Sequence, residues 1–286
     1  MKMEKEKKLL AEKINEAEMV LVGIGEEFGE SMDKGKAIPQ LAECFQAIEK
    51  NERQSWMLPY LEKLQGDWLG TEKTAKAYET LEKLLDQKNY FIVSTRMDDY
   101  IYETKLKKEK IVTPCGGNRF LQCPDGCGKH LYQADRQLPG KIFEYLIGKG
   151  NGKSGEVPAV SDLKLAGEDE GRDQISCPTC PECGKYLVFN NRKAKQYVEE
   201  GYLEQWNKYM RWLQGTVNKR LCVLELGVGM QYPTVIRWPF ERVTFINEKS
   251  SMFRIHSKLY HLTEEIKDRG YKIQEKPIDF LINWFV

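Results

Sequence analysis

Long apolar runs are missing from this 286-residue chain: none approaches the roughly 20 residues that a membrane-spanning helix requires. The opening segment, Met1 to Lys13, interleaves Glu with Lys and lacks the apolar core of an export signal. Neither secretion nor membrane insertion is expected, and a cytoplasmic location is. An excess of one charge is missing too, since 44 Lys and Arg stand against 43 Asp and Glu. No broad basic field exists to hold a phosphate backbone by counterion release, so nucleic acid is not an expected partner. No internal repeat is found. What remains is an ordinary globular composition, 41% hydrophobic and 30% charged, long enough for one large α/β domain carrying an insertion.

Helical spacing places Leu9, Leu10, Ile14 and Ala17 on one face, and a short buried strand, Met19 to Gly23, follows. Helices are expected around 39–65 and 73–87, the second with Ala75, Tyr78, Leu81 and Leu84 on one side, and then a strand at Tyr90 to Ser94. Helical periodicity returns at 192–214, where Tyr197, Tyr202, Trp206, Tyr209 and Trp212 read as a buried stripe. Strands are expected at Leu221 to Leu226 and at Val243 to Asn247. Short apolar strands alternating with helices indicate an α/β fold, a Rossmann-like parallel sheet with helices on both faces. This domain is expected to be discontinuous, 1–112 and 189–286, around a small zinc-binding module at 113–188. Within the module the Gly-rich, charged stretch 148–173 reads as an exposed loop.

The module rests on its cysteines. Without an export signal, eight cysteines point to thiols and metal sites before disulfides. Cys123 and Cys127 form one C-x₃-C turn, and Cys177, Cys180 and Cys183 form C-x₂-C-x₂-C some fifty residues later. Two such turns supply the paired ligands of tetrahedral Zn²⁺. Gly126, Gly128 and Gly184 would let backbone amides approach the sulfurs. We assign Cys123, Cys127, Cys180 and Cys183 as ligands and leave Cys177 out, because Cys180-Pro181-Glu182-Cys183-Gly184 is the better knuckle; His130 is a conceivable substitute. Residues 113–188 carry 9 Lys and Arg against 10 Asp and Glu, which argues against a nucleic-acid-reading zinc ribbon.

Two strands end in glycine turns, Gly23-Ile24-Gly25 and Gly227-Val228-Gly229, the kind of turn at which a backbone meets a diphosphate. Gly148 to Ser154 ends in Gly-Lys-Ser but has Ile147 in place of the first P-loop glycine, so it is not read as one. Taken in order, Val20 to Gly25, Ser94-Thr95-Arg96-Met97-Asp98, Cys123 to Gly184, Gly227 to Pro233 and Ile246-Asn247 resemble the sirtuin family. The resemblance implies NAD bound between the Rossmann-like domain and the zinc module, with zinc remote from the chemistry. It also implies removal of acyl groups from protein lysines, in which the acyl oxygen attacks the nicotinamide ribose. A histidine acts there as base, with an asparagine and an aspartate around the ribose and nicotinamide. The cofactor-binding positions carried over are Gly23, Gly25, Asp98, Gly227, Gly229 and Asn247, and the positions at the chemistry are Asp98, Arg96 and Cys115.

Three of these positions depart from the family pattern. Glu26 and Glu27 follow the first glycine turn, where two carboxylates would repel a diphosphate. Arg96 puts a cation where the asparagine belongs and would oppose positive charge developing on the ribose. Cys115, in Pro114-Cys115-Gly116, takes the place of the histidine; a thiol is a weak base near neutrality, though its thiolate is a nucleophile. His256 and His261 read as surface or packing residues. Three readings of function follow: a sirtuin-like enzyme performing deacylation, ADP-ribosyl transfer or NAD cleavage; an inactive sensor of NAD or ADP-ribose; or an interaction module shaped by zinc. The partners expected are a nucleotide cofactor and a protein substrate.

Overall fold

The computed structural model describes residues 2–29, 39–49, 52–69, 72–147 and 175–284. The Gly148 to Ser154 motif and the loop expected at 148–173 lie outside the described residues. Along the chain the elements are α1 (Lys2–Glu16), β1 (Met19–Ile24), α2 (Pro39–Glu49), α3 (Leu58–Leu69), α4 (Glu72–Leu85), β2 (Asn89–Ser94), β3 (Ile111–Val112), β4 (Gly116–Gln122), β5 (Leu131–Gln133) and α5 (Leu138–Ile147). They continue with β6 (Val188–Asn191), α6 (Glu200–Gln214), β7 (Leu221–Leu226), α7 (Arg237–Ile246), β8 (Ser250–Ile255), β9 (Gly270–Ile273) and α8 (Pro277–Ile282). No described helix is long and apolar enough to cross a membrane. Two compact units result, one of residues 1–31, 70–117 and 199–286, the other of 32–69 and 118–198.

The first unit is built on a six-stranded parallel sheet in the order β3-β2-β1-β7-β8-β9. Both faces are buried, which is why β1 and β7 read as continuous apolar runs without alternation. Strand side chains at Val20, Val22, Ile24, Leu224 and Phe253 pack with α1, α4 and α8 through Leu10, Ile14, Tyr78, Leu81 and Phe280. On the opposite face Leu21, Phe91, Val223 and Met252 pack with Tyr209 of α6 and Phe240 of α7.

Two elements differ from expectation. Residues 243–247, expected as a strand, close helix α7: Thr244 is buried and returns its hydroxyl to Phe240 O at 2.8 Å, while Phe245 and Ile246 face outward. A short apolar β-branched run has no period of its own, and the strand that fills the place is β8. Helix α6 begins at 200 instead of 192, because Asn191 bends the chain, its Oδ1 accepting from Lys193 N and its carbonyl from Ala194 N. Tyr209 is the fully buried member of the aromatic stripe; Tyr202, Trp206 and Trp212 lie partly buried against it.

In the second unit, α2, α3 and α5 pack on a three-stranded sheet ordered β5-β4-β6, with β5 antiparallel to β4. Leu41, Tyr60, Leu61, Leu121, Ile142 and Phe189 are central to its core. Gln122 is buried in it and fully used, its Oε1 accepting from Asn190 Nδ2 at 2.7 Å and Val198 N at 2.9 Å.

Candidate nucleotide site and cysteine cluster

In an open parallel sheet, ligands enter the crevice beyond the carboxyl ends of the strands where the chain order reverses, and here that crevice lies between β1 and β7. Both strands end there in glycine. Gly25 N donates to Leu226 O at 2.9 Å, and Gly227 N donates to Ile255 O at 2.8 Å, so the turns emerge side by side. A Cβ on Gly25 would run into Val228 Cα and Gly227 O. One on Gly227 would sit 2.7 Å from Phe28 N, and its φ of 65° is one that glycine tolerates best. Backbone therefore meets backbone at the switch point. A Cβ on Gly23 would sit 2.5 Å from Ile236 and 2.9 Å from Phe240, so its absence lets α7 approach β1.

The tight turn after β1, closed by Phe28 N donating to Gly25 O at 3.1 Å, aims its two carboxylates at neighbouring strand ends. Glu26 Oε2 accepts from Gly229 N at 2.8 Å. Glu27 accepts from Ser257 N at 2.8 Å and from the Ser257 hydroxyl, and lies 3.0 Å from His256 Nδ1. His256 is buried, and its Nδ1 also accepts from Lys258 N and Leu259 N at 3.1 Å each. Burial lowers its basicity against the pull of Glu27.

Beyond β2, Thr95 N donates to Ile24 O at 2.9 Å and brings the Arg96 to Asp99 turn beside the end of β1. Arg96 is ion-paired with Asp98, which also accepts from Tyr100 N at 3.1 Å. The guanidinium lies over Gly29, where a side chain would displace it, and Arg96 Nε is buried with no hydrogen-bond partner among the described residues. Asp99 is left-handed at φ 61°, and its carboxylate fills the space a Cβ on Gly117 would need. Cys115 is 1% exposed. Asn247 lies apart from all of these: it precedes β8 at the amino end of the strands and donates to Thr216 O and Lys219 O at 3.0 Å each.

Beneath the crevice is a buried ionic group that the sequence did not signal. Glu225 of β7 and Arg254 of β8 are register partners on the α7 face, joined at 2.5 and 3.1 Å. Arg254 continues to Glu241 at 2.7 Å and His261 O at 2.6 Å. Burial works against charge on Arg254, but Glu225 and Glu241 outweigh it and hold the guanidinium protonated. Arg237 donates to Val228 O, Leu259 O and His261 O, tying the turn after β7 to the loop after β8. Arginine is suited to this by its planar fork of donors.

In the second unit, Cys123, Cys127, Cys180 and Cys183 bring their sulfurs within 4.8 Å of one another, with Cys123 and Cys183 at 3.6 Å. Four sulfurs held tetrahedrally at about 2.3 Å from one ion lie about 3.8 Å apart, inside that limit. Burial opposes ionisation of Cys123, but the N–H groups of Cys127 and Asp125 outweigh it and bring the thiol down to about 7. Hydrogen bonding to Cys123 and Cys183 pushes Cys127 up to about 12. All four could be thiolates together only with a cation among them. Cys177 stays outside, pushed up to about 12 by burial, and His130 is exposed, 3.9 Å from Glu182.

At this end of the sheet lie the Gly229 N–H, given to Glu26, and Arg96, whose buried Nε has no hydrogen-bond partner among the described residues.

No protein-family model matches the chain. It is 23% identical over 206 residues to "Protein ADP-ribosyltransferase" of Staphylococcus aureus, a match covering 71% of this chain and 58% of that protein. It is 26% identical over 156 residues to "Probable bifunctional ADP-ribose hydrolase/ADP-ribosyltransferase" of Fusarium oxysporum f. sp. cubense, covering 53% of this chain and 23% of that protein. The matched part thus spans little more than half of one relative and a quarter or less of the other. Among solved structures, a Sir2 homologue in complex with NAD matches at a TM-score of 0.51 and 14% identity, over 97% of this chain and 91% of that one. Sir2 with an inhibitor, 2′-O-acetyl-ADP-ribose and a deacetylated p53 peptide matches at 0.51 and 11%, over 96% and 95%. The chain has the sirtuin fold, and its relatives in sequence are distant ones named for ADP-ribosyl transfer.

Proposed function

We propose that this chain binds an NAD-type dinucleotide across the carboxyl ends of β1 and β7 and transfers ADP-ribose to a nucleophile on a protein. The observation that carries the reading is the meeting of the Gly25 and Gly227 turns at the switch point of the sheet, where a Cβ on either would collide with backbone. The names of the two sequence relatives support the reaction type.

Bound NAD would supply an activated ADP-ribosyl group with nicotinamide as leaving group. Gly25 and Gly227 let the two turns pack against each other at this end of the sheet, and Gly229 N–H and Arg96 would offer donors to its phosphates. Asp98, held in place by Arg96 and by Tyr100 N, presents a carboxylate beside the end of β1. That ion pair answers the electrostatic objection to Arg96: its charge is offset by an adjacent carboxylate and does not stand alone where positive charge would develop. Cys115 is enclosed, so it offers neither an accessible base nor an accessible nucleophile. Deacylation of the sirtuin kind, which the resemblance ties to a histidine base at that place, is thereby disfavoured. Transfer to an external nucleophile makes no call on that base. Zn²⁺ is the ion we assign to Cys123, Cys127, Cys180 and Cys183, with a structural role.

The seat of Glu26 on the Gly229 amide favours a second reading, a nucleotide sensor without turnover. Calorimetric titration with NAD and ADP-ribose, followed by nicotinamide release with and without acceptor protein, separates the two. Binding with release supports transfer, binding without release supports the sensor, and no binding of either nucleotide sinks both. Asp98→Asn should lower release about tenfold or more with a smaller change in affinity.

A further inference from the structure

We propose that Glu26 is a displaceable internal anion, seated on the Gly229 amide and competing with ligand phosphate for it. This rests on the reading of the crevice as a nucleotide site.

The two carboxylates of the β1 turn are held very differently. Glu27 is fixed by the amide and hydroxyl of Ser257 and lies against buried His256, so it pins the β1 turn to the end of β8. Glu26 has one hydrogen bond, from Gly229 N at 2.8 Å, and no ion-pair partner among the described residues. Arg237 directs its hydrogen bonds to the carbonyls of Val228, Leu259 and His261 and attracts Glu26 only through space. Glu26 is only partly buried, so its carboxylate can turn to solvent without unfolding anything.

Its place is also informative. Gly229 has no Cβ, and the Glu26 carboxylate lies where one would point, with Oε2 at 3.0 Å and Cδ at 3.5 Å from that position. The amides of Gly25 and Gly227 are already given to Leu226 O and Ile255 O, whereas Gly229 N is given to a side chain, which can move aside for an incoming anion. A phosphate reaching it must displace Glu26 and then tolerate a second negative charge nearby. Like charges several ångströms apart near a protein surface cost enough to change affinity by an order of magnitude. A ligand without phosphate meets neither obstacle. Glu26 therefore sets affinity for the phosphorylated part of the ligand and leaves the nucleoside part untouched.

The test is calorimetric titration of the full chain, Glu26→Gln and Glu26→Ala with ADP-ribose and with adenosine. Gln keeps the length and can still accept from Gly229, while Ala exposes the amide outright, so a folding defect in one does not silence the other. ADP-ribose should bind both variants at least about tenfold more tightly than the unmodified chain, about 1.4 kcal/mol, with adenosine binding unchanged. Equal or weaker ADP-ribose binding by the variants overturns the competition but leaves the nucleotide site standing. Equal tightening of adenosine shows that the effect does not act on phosphate and also overturns it. Failure of ADP-ribose to bind any of the three proteins overturns the proposal together with the site on which it rests.

Discussion

Gly25 has no room for a side chain, because Val228 Cα and Gly227 O already fill the place of its Cβ. Both obstacles are backbone, so nothing can rotate away, and Gly25→Ala should force the two turns apart. Overpacking of this kind costs about 1–3 kcal/mol, read as a lower urea midpoint. Gly66→Ala is the contrasting case: Gly66 lies within α3 with nothing within 4 Å of its Cβ position. That substitution should stabilise by roughly 0.5–1 kcal/mol through helix propensity alone. A similar contrast separates the cysteines. Cys115→Ala, at a residue enclosed at 1% exposure, should leave nicotinamide release within about twofold, whereas a catalytic thiol would lose it. His256 carries the pH dependence at this scale. Its Nδ1 accepts two amides, bonds that protonation at that nitrogen would break, and burial lowers its basicity below the usual imidazole value. A group that binds its proton more weakly when folded stabilises the protein above its unfolded value, about 6.5, and the gain is lost as pH falls through the folded value. Urea midpoints should fall on acidification from pH 7 to 5, and His256→Gln should flatten that fall.

The elements show which physical signals a sequence carries. β1, β2 and β7 are legible as apolar runs because a strand covered on both faces has no polar side to break the run, and the glycines that end β1 and β7 mark the switch point. Residues 243–247 have the same composition but belong to α7, since Phe245 and Ile246 are exposed by the helical turn and only packing distinguishes the two cases. Asn247 caps that helix and precedes β8, so it lies at the amino end of the strands. Glu225 and Arg254 were invisible for another reason. A charged residue within an apolar run has no local mark of its partner, and the pairing arises only when β7 and β8 come into register. With side-chain exposures of 0% and 1%, neither charge can be left alone. Arg254→Met should destabilise by about 3–5 kcal/mol because Glu225 remains buried, and Glu225→Gln combined with Arg254→Met should recover part of that loss. Equal urea midpoints for the single variant and the unmodified chain would show that the pair is not what holds β7 to β8.

At the scale of the whole molecule, the two units have unequal means of staying folded. The first has a six-stranded sheet with a core on each face. The second has a sheet of three short strands, and Cys123 and Cys180 are themselves members of its core. So small a sheet gains much from a staple, and a structural metal ion contributes folding free energy directly. Spacing singled out five cysteines on two turns, and the knuckle residues Pro181 and Gly184 favoured Cys180 and Cys183 over Cys177; the four sulfurs come together without it. Purified protein should therefore contain about one zinc per chain, retained in Cys177→Ser and lost in Cys180→Ser. Removing the metal with a strong chelator should increase amide hydrogen exchange through β4, β5 and β6 while β1, β7 and β8 keep their protection. Protection that survives throughout the chelated protein would mean that the cysteines pack as ordinary core residues. Loss spread equally over both sheets would mean that the units unfold as one.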